Sequence, residues 1–551
     1  MIRNDRISEW AAWGRPEDAP SLADRPALLA YLDEELGKLD PPVPPLDLEL
    51  VKVPASRLSP AARQALVDAV GGNRVDDSTS ERAAHSVGKS YRDMLAACTG
   101  RLACVTDAVV YPRDEADVSV LLTAASDHDL AVVPFGGGTS VVGGVEPRCG
   151  KHQAAITLDL MDLNGVELDT TSQLAEIGAG AFGPDIERGL TAQGYTLGHF
   201  PQSFEFSTFG GWVATRGAGQ QSTAYGKIEE IVQAVRIATP RGVIATRCVP
   251  ASAAGPSVLQ QIVGSEGTLG VITSGTARVR SLPGCRRFRA WFLPDWSGAV
   301  SFVRDLLQAG VRPTVVRLSD SEETRWLLKT ASQTGGLIRR IGKAYIRHAL
   351  RARRFDPDQI CLCLLGFEGT DDGVRLACRS AAQAAGECQA IGLGSTPGRS
   401  WERDRFTLPY LRDELMARGV MVDTLETATT WRNLEHLDRA VRGAITAAIQ
   451  ASGSRGTVMA HVSHVYATGA SLYYTFLARR QAGSELDQWQ AVKTAATQAI
   501  VDSDGTLSHH HGIGYEHLPL TAEHGPLAVE GLRGLKAALD PDGLMNPEKL
   551  V

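Results

Sequence analysis

The chain has 551 residues, 43% of them hydrophobic and 22% charged, with a formal net charge of −7. That length calls for about two to three domains. The acidic balance argues against a nucleic-acid binder, which would carry a basic surplus. No apolar run reaches the ~20 residues of a membrane span, and the opening Met1-Ile2-Arg3-Asn4-Asp5-Arg6 is not a secretory signal.

Residues 1–101 read as a helical region interrupted by proline, with Pro41, Pro42, Pro44 and Pro45 as a linker or turn. From about 102 the texture changes to short β-branched runs and Gly clusters. Residues 105–111 read as a strand. Residues 114–129 read as a helix capped by Asp114, with Val118, Leu121, Leu122 and Ala125 on one face. Residues 130–134 read as a strand that enters a glycine turn. From 283 to 500 the pattern is a second α+β domain, with a strand at 360–367 and helices at 374–385 and 434–450. Nine Cys are scattered, with Cys361 and Cys363 one residue apart. Buried free thiols are expected, not zinc ligands or disulfides.

The glycine turn is Pro134-Phe135-Gly136-Gly137-Gly138-Thr139-Ser140. Three consecutive Gly let several N–H groups converge on an anion, and Thr139 and Ser140 add hydroxyl donors. A pyrophosphate suits such a nest, and a tight structural turn is the alternative. No Lys follows, so it is not a P-loop. Downstream, Gly178-Ala179-Gly180-Ala181-Phe182-Gly183 matches the dinucleotide fingerprint. A Rossmann unit would need an acidic residue ending a second strand about 20 residues on. That region is the Pro-bearing Phe200-Pro201-Gln202-Ser203-Phe204-Glu205, so no NAD site is expected there. Two further turns rich in Gly, Ser and Thr follow at 206–216 and 264–272. Three such turns point to a large ligand held at many points.

The order Pro-x-Gly-Gly-Gly-Thr-Ser, then Gly-His-x-Pro-x-Ser-x-Glu-Phe-Ser-Thr-x-Gly-Gly-Trp-Val-Ala-Thr-Arg, then Gly-Ser-Glu-Gly-Thr-Leu-Gly-Val-Ile-Thr resembles the FAD domain of the vanillyl-alcohol oxidase superfamily. More narrowly, the chain resembles the alkyldihydroxyacetonephosphate synthases of ether-lipid synthesis. The resemblance runs from Trp10-Ala11-Ala12-Trp13-Gly14 through Leu507-Ser508-His509-His510-His511-Gly512 to the tail.

The resemblance implies an α+β fold in four parts. A helical N-terminal region spans 1–101, and a two-subdomain PCMH-type FAD-binding domain spans 102–282. A substrate-binding cap domain with an antiparallel sheet spans 283–500, and the segment 501–551 brings the His run back to the active site. It implies noncovalent FAD: covalent members often carry a His in the glycine turn, where this chain has Thr139, and no His lies in 134–144. The implied cofactor residues are Pro134, Phe135, Gly136, Gly137, Gly138, Thr139 and Ser140; Gln202, Ser203, Phe204, Glu205, Phe206, Ser207 and Thr208; Ala214, Thr215, Arg216 and Gly217; and Glu266, Gly267, Thr268, Leu269, Gly270, Val271 and Ile272.

In an extended segment His509 and His511 would share a face and His510 would take the other, which argues against one tridentate metal site. No metal is expected. The resemblance makes His509, His510 and His511 an active-site run and aligns Tyr473 with a proton-transferring Tyr, leaving Tyr474 for the core. A phenol, with a reference pKa of about 10, is a weak base unless neighbours lower it. Arg412 matches a substrate-binding Arg whose guanidinium fork suits a phosphate dianion, and Arg317 supports it.

The implied reaction exchanges the acyl group of acyl-dihydroxyacetone phosphate for a long-chain alcohol, with flavin N5 acting covalently and no net redox change. Lipid substrates, a homodimer and no nucleic acid are the implied partners. The alternative is a redox flavoenzyme of the same superfamily, such as a D-2-hydroxy-acid dehydrogenase, with Arg412 on a carboxylate. Phe200 and Gln202 depart from the acidic residues frequent in the family. The family's targeting extension ahead of the Trp motif is missing. A cytoplasmic protein is expected, with peripheral contact at the inner membrane face left open.

Overall fold

The computed structural model describes residues 9–15, 19, 21–330, 346 and 348–551. The N-terminal helices α1 (Pro26–Leu36), α2 (Pro60–Val70) and α3 (Tyr91–Thr99) begin on local signals. α1 and α2 open with Pro, Ser59 caps α2 by accepting from the Ala62 N–H, and Ser90 and Asp93 form a capping box on α3. These helices do not share one core. Leu28, Leu32 and Leu36 of α1 pack into the core of the C-terminal half. Ala62, Leu66 and Val70 of α2 pack into the core of the FAD-binding half.

The first sheet holds β1 (Val75–Asp76), β2 (Ala108–Val110), β3 (Leu130–Phe135) and β4 (Ala154–Asp159) in the order β1-β2-β4-β3. β2 and β3 both run parallel to β4, which requires a crossover. Helix α4 (Glu115–Asp127) supplies it. Asp114 accepts from the Asp117 N–H, and Val118, Leu121, Leu122 and Ala125 are the buried face. β2 is shorter than the 105–111 expected. Before it, side chains take over part of the pairing: Thr106 Oγ1 donates to the Ala108 carbonyl, and the Asp107 carboxylate accepts from Arg57 and the Ala155 N–H while the Asp107 N–H donates to the Ala155 carbonyl.

The second sheet is antiparallel. It contains β5 (Val166–Asp169), β6 (Leu174–Gly178), β8 (Val232–Thr239), β9 (Gly242–Ala245) and β10 (Val271–Arg278), in the order β5-β6-β10-β8-β9. A two-stranded ribbon pairs β7 (Tyr195–Thr196) with β11 (Arg280–Ser281). β6 does lead into helix α5 (Gly183–Thr191) across the GxGxxG segment. Yet β6 is antiparallel to both neighbours, so no Rossmann unit forms. A Cβ at Gly178 or Gly180 would lie 2.1 Å or 1.8 Å from the carbonyl oxygens of Leu163 and Leu160. Those glycines serve close packing, not phosphate.

The C-terminal half is built on a seven-stranded antiparallel sheet. Its strands are β12 (Cys285–Leu293), β13 (Val315–Ser319), β14 (Cys361–Gly369), β15 (Ile391–Gly394), β16 (Val420–Thr430), β17 (Gly456–Val465) and β18 (Gly469–Arg479), in the order β15-β12-β14-β13-β17-β18-β16. Helices α6 (Trp296–Gln308), α7 (Asp371–Glu387) and α8 (Leu434–Ala451) bury apolar faces in its core. The strand expected at 360–367 and the helices expected at 374–385 and 434–450 are β14, α7 and α8. All nine Cys are free, and three of them, Cys361, Cys363 and Cys378, are buried. Among the described residues, no helix is long and apolar enough to cross a membrane.

Candidate active site

β3 delivers the chain into the glycine turn, and the turn lies against residues 206–208 with no room for side chains. A Cβ at Gly137 would sit 1.7 Å from the Phe206 carbonyl oxygen, and one at Gly136 would sit 2.3 Å from Thr208 Oγ1. Gly138 takes φ +65°, a region that favours glycine. The turn forms one end of a cavity of about 450 Å³ between the two halves of the molecule.

Of the residues the sequence assigns to the cofactor, Pro134 to Ser140, Gln202, Ser203, Ser207, Thr208, Ala214, Thr215, Gly217, Glu266, Gly267, Gly270 and Ile272 line this cavity. The others lie outside it. Phe204 stacks on Phe406, Phe206 joins Trp13 and Tyr410 in a small core, and Glu205 is exposed. Arg216 reaches Gln260 Oε1 and the Val263 carbonyl. Thr268 bonds the Ser265 carbonyl, and Leu269 and Val271 are core.

The donor set fits FAD. The stripped backbone at Gly136–Gly138 allows the close approach that a pyrophosphate needs. Gln220 also lines the cavity and holds a buried Oε1 with no hydrogen-bond partner, suited to the polar edge of a ring.

The opposite wall comes from the cap sheet. Tyr473 on β18 pairs with Glu426 of β16 on one side and with His461 of β17 on the other. Side chains directly across a ladder share a face. The Tyr473 ring accordingly stacks on His461 with centroids 4.9 Å apart. Tyr474 takes the other face, fully buried in the core.

The His run does not lie extended. Segment 508–512 bends around the Glu426 carboxylate, which is 1% exposed. Ser508 Oγ donates to Glu426 Oε1 at 2.7 Å, the N–H groups of His510 and His511 donate to the same oxygen at 3.0 and 2.8 Å, and the His509 N–H donates to Oε2. The alternating-face expectation is therefore corrected: one buried acceptor draws all three residues to one side. His509 Nδ1 meets His510 Nδ1 at 3.1 Å, and Tyr466 Oη meets His509 Nε2 at 2.6 Å.

Ring nitrogens of His464, His509 and His510 lie within 4.8 Å of one another. Ligands sharing one zinc at 2.0–2.1 Å would stand about 3.4 Å apart, so an ion there would have to draw the rings together. Lys227, which donates to the His509 carbonyl, and its partner Glu229 lie beside the cluster.

The electrostatics follow burial. His509 is pushed down to about 3, first by desolvation and then by the Lys227 ammonium, and desolvation also holds His510 and His464 well below the usual imidazole value, while Glu426 pulls all three the other way. His511 is lowered for the same leading reason. These imidazoles are neutral near pH 7. Burial opposes ionisation of Glu426, yet its carboxyl stays well below the usual carboxylate range. With the imidazoles neutral, the hydroxyl and N–H donors are what hold its charge. Tyr473 is pushed up to about 12 by burial, so its hydroxyl stays protonated near pH 7 and the His run does not bring the phenolate into range.

Arg412 lies on helix α9 (Leu408–Ala417) and lines the cavity. Its Nη1 donates to the Lys89 carbonyl at 2.6 Å and its Nε to Asp413 at 3.3 Å, while Nη2 is buried with no partner. Lys89 beside it is buried and bonds the carbonyls of Glu9, Trp10 and Ala12. Burial pushes that ammonium down to about 8. Asp413, Asp93 and Glu9 act on this ammonium from the acidic side and Arg412 from the basic side, so the open valence of the site is Arg412 Nη2. Arg317 is placed differently: its Nη2 is held by Glu323 at 2.6 Å and lies 3.4 Å from His461 Nδ1. It anchors the Glu323–His461 pair beneath Tyr473.

Sequence reasoning missed Glu426, His461, His464, Lys89 and Gln220. Glu426 carried little signal: it follows the mixed run Val420-Met421-Val422-Asp423-Thr424-Leu425, and nothing nearby in sequence links it to a loop more than 80 residues away.

A flavin cradle of glycine turns, faced by a cap sheet with a Tyr, a His cluster and a buried Arg, defines a two-domain FAD-linked enzyme. Residues 106–247 match the family described as FAD binding domain, and residues 282–550 match the family described as FAD linked oxidases, C-terminal domain. An alkyldihydroxyacetonephosphate synthase of Dictyostelium discoideum is 33% identical over 96% of this chain and 88% of its own length. One of Trypanosoma brucei brucei is 33% identical over 85% of this chain and 77% of its own length. A solved structure of an alkyldihydroxyacetonephosphate synthase superposes with a TM-score of 0.85 at 29% identity, covering 99% of each chain. The chain belongs to the alkyldihydroxyacetonephosphate synthase family.

Proposed function

We propose that the protein uses noncovalently bound FAD to exchange the acyl group of acyl-dihydroxyacetone phosphate for a long-chain alcohol, giving an ether and a fatty acid. The observation that carries this reading is Arg412 Nη2, a buried donor without a partner, in a cavity that also holds the glycine cradle and Tyr473. An unpaired buried guanidinium nitrogen is costly unless a ligand completes it, and a phosphate dianion matches its fork. Beside it the cavity is apolar, with Val316, Leu327, Leu411, Leu415, Met459 and Leu477. That surface suits an alkyl chain and excludes water.

Bound FAD supplies the N5 nucleophile that an exchange without net redox needs. The chain does the rest. Arg412 binds and orients the phosphate. Tyr473 stands over the reacting end and handles the proton. The neutral imidazoles of His509, His510 and His511 receive and return protons. The test is incubation of flavin-loaded protein with acyl-dihydroxyacetone phosphate and labelled hexadecanol. Label in an ether product is expected, and none would refute the reading. Bleaching of the flavin by a D-2-hydroxy acid under anaerobic conditions would favour the dehydrogenase alternative.

A further inference from the structure

We propose that Glu426 is the positioning residue of the proton transfer: it gathers the His run and stabilises the imidazolium that forms on His511 when the substrate proton is taken. The inference rests on the exchange reading and adds a residue and a direction of proton flow to it.

The geometry separates the three imidazoles. Tyr466 engages His509 Nε2, and His509 Nδ1 engages His510 Nδ1. His511 has the ring nearer to Tyr473, with centroids 5.6 Å apart against 6.1 Å for His510. His511 Nδ1 stands 3.7 Å from Glu426 Oε1, which leaves Nε2 on the far side of the ring. That distance is beyond a good hydrogen bond but well inside Coulomb range in a buried site. A carboxylate behind an imidazole that accepts a proton orients the ring and stabilises the cation without taking the proton itself.

Tyr473 cannot keep the proton's vacancy at neutral pH, because its hydroxyl is buried beside Glu426 and Asp423. A neutral imidazole is the better final acceptor. The step moves a proton only. The C–H bond of the substrate breaks, its electron pair stays with the substrate, and the proton passes by the Tyr473 hydroxyl to His511 Nε2. The fatty acid leaves as carboxylate with its C–O electron pair, its place on the carbon being taken by the nucleophile that bound FAD would supply and later vacated to the alcohol. The alcohol oxygen joins the carbon, its own proton goes to solvent, and His511 returns a proton to the carbon. No oxidant or reductant is needed.

Other charges bear on His511 from every side. Lys493 and Asp423 act from the helix and strand beneath it. His517 belongs to the same buried group, and Lys227 and His464 lie by His509. His461, with Glu323 and Arg317 behind it, stacks on the far face of Tyr473. Glu426 is the anion that touches the run at all three N–H groups.

The test is the pH profile of exchange by the flavin-loaded enzyme. Activity needs neutral His511, so kcat rises with pH through that imidazole's pKa. In Glu426→Gln the anion is gone, and the acid limb is expected to move to lower pH by about one unit or more, with kcat reduced and flavin content kept. In Ser508→Ala the carboxylate loses its hydroxyl donor and keeps its charge, so the limb is expected to move to higher pH. His511→Asn should abolish the limb. A limb that stays in place in Ser508→Ala and in a folded Glu426→Gln would overturn the proposal. If Glu426→Gln does not fold, Ser508→Ala decides alone. Absence of exchange in the unsubstituted enzyme would instead overturn the exchange reading.

Discussion

The two walls of the cavity are built by opposite means. The FAD-binding wall is backbone, with side chains removed at Gly136, Gly137 and Gly138 so that the chain can approach a ligand. The cap wall is side chains that converge from β16, β17, β18, α9 and the loop at 508–512. A backbone site tolerates no added atom. A side-chain site tolerates small changes of shape and is sensitive to charge.

Adding one methyl to the backbone wall should have the largest effect. In Gly137→Ala the new Cβ meets a carbonyl oxygen, not a flexible side-chain end. Overpacking costs about 1–3 kcal/mol even where neighbours can shift, and here the neighbour is backbone. The purified variant should carry no flavin, read from its absorbance, and should melt lower than the parent. Full flavin occupancy would break the contrast.

On the cap wall, Tyr473→Phe should keep flavin and fold while kcat falls by about 10²–10⁴, the usual range for a lost acid–base group. Loss of flavin instead would show that the two walls are not separable. Arg412→Lys keeps the charge but not the fork. Its kcat/KM should fall about 10–100-fold, in line with loss of one charge-assisted hydrogen bond, with the flavin spectrum unchanged.

The smallest effect sharpens the comparison through histidine. His199 belongs to the backbone wall's half, and neither of its ring nitrogens has a hydrogen-bond partner. Burial pushes it down to about 3 from 6.5. The unfolded chain takes a proton near 6.5 and the folded one does not, so this group's contribution to stability is lost as pH falls from 6.5 toward 3. His199→Leu removes that loss. Relative to the parent, the variant should gain about 1.4 kcal/mol for each pH unit below 6.5, measured by denaturant unfolding. A constant difference between the two proteins from pH 7.5 to 5 would contradict it.

The same contrast explains what could be read from the sequence. Glycine turns leave a local mark, because only glycine fits, and the turns at 134–140, 206–216 and 264–272 were visible together with β3 and α4. The decoy at 178–183 shows the limit of that signal. Its glycines also exclude a Cβ, but their neighbours are the Leu160 and Leu163 carbonyls, and only the antiparallel register of β6 separates the two cases. Tyr473, Arg412 and the His run were legible by resemblance to a family, not by spacing. Glu426 was not legible. Its role depends on strand pairing that sets it beside Tyr473 and on a loop that folds back from residue 508. The extended reading of the His run failed for the same reason, since a single buried carboxylate overrides the alternation of a free strand.

The central claim is that the two walls perform an exchange and not an oxidation. The most direct measurement is stoichiometry under anaerobic conditions, with flavin-loaded protein, acyl-dihydroxyacetone phosphate and hexadecanol and no electron acceptor. The account predicts many turnovers, one fatty acid released for each ether bond formed, and a flavin that is oxidised at the end. A single turnover that leaves the flavin reduced, with no ether product, would contradict it.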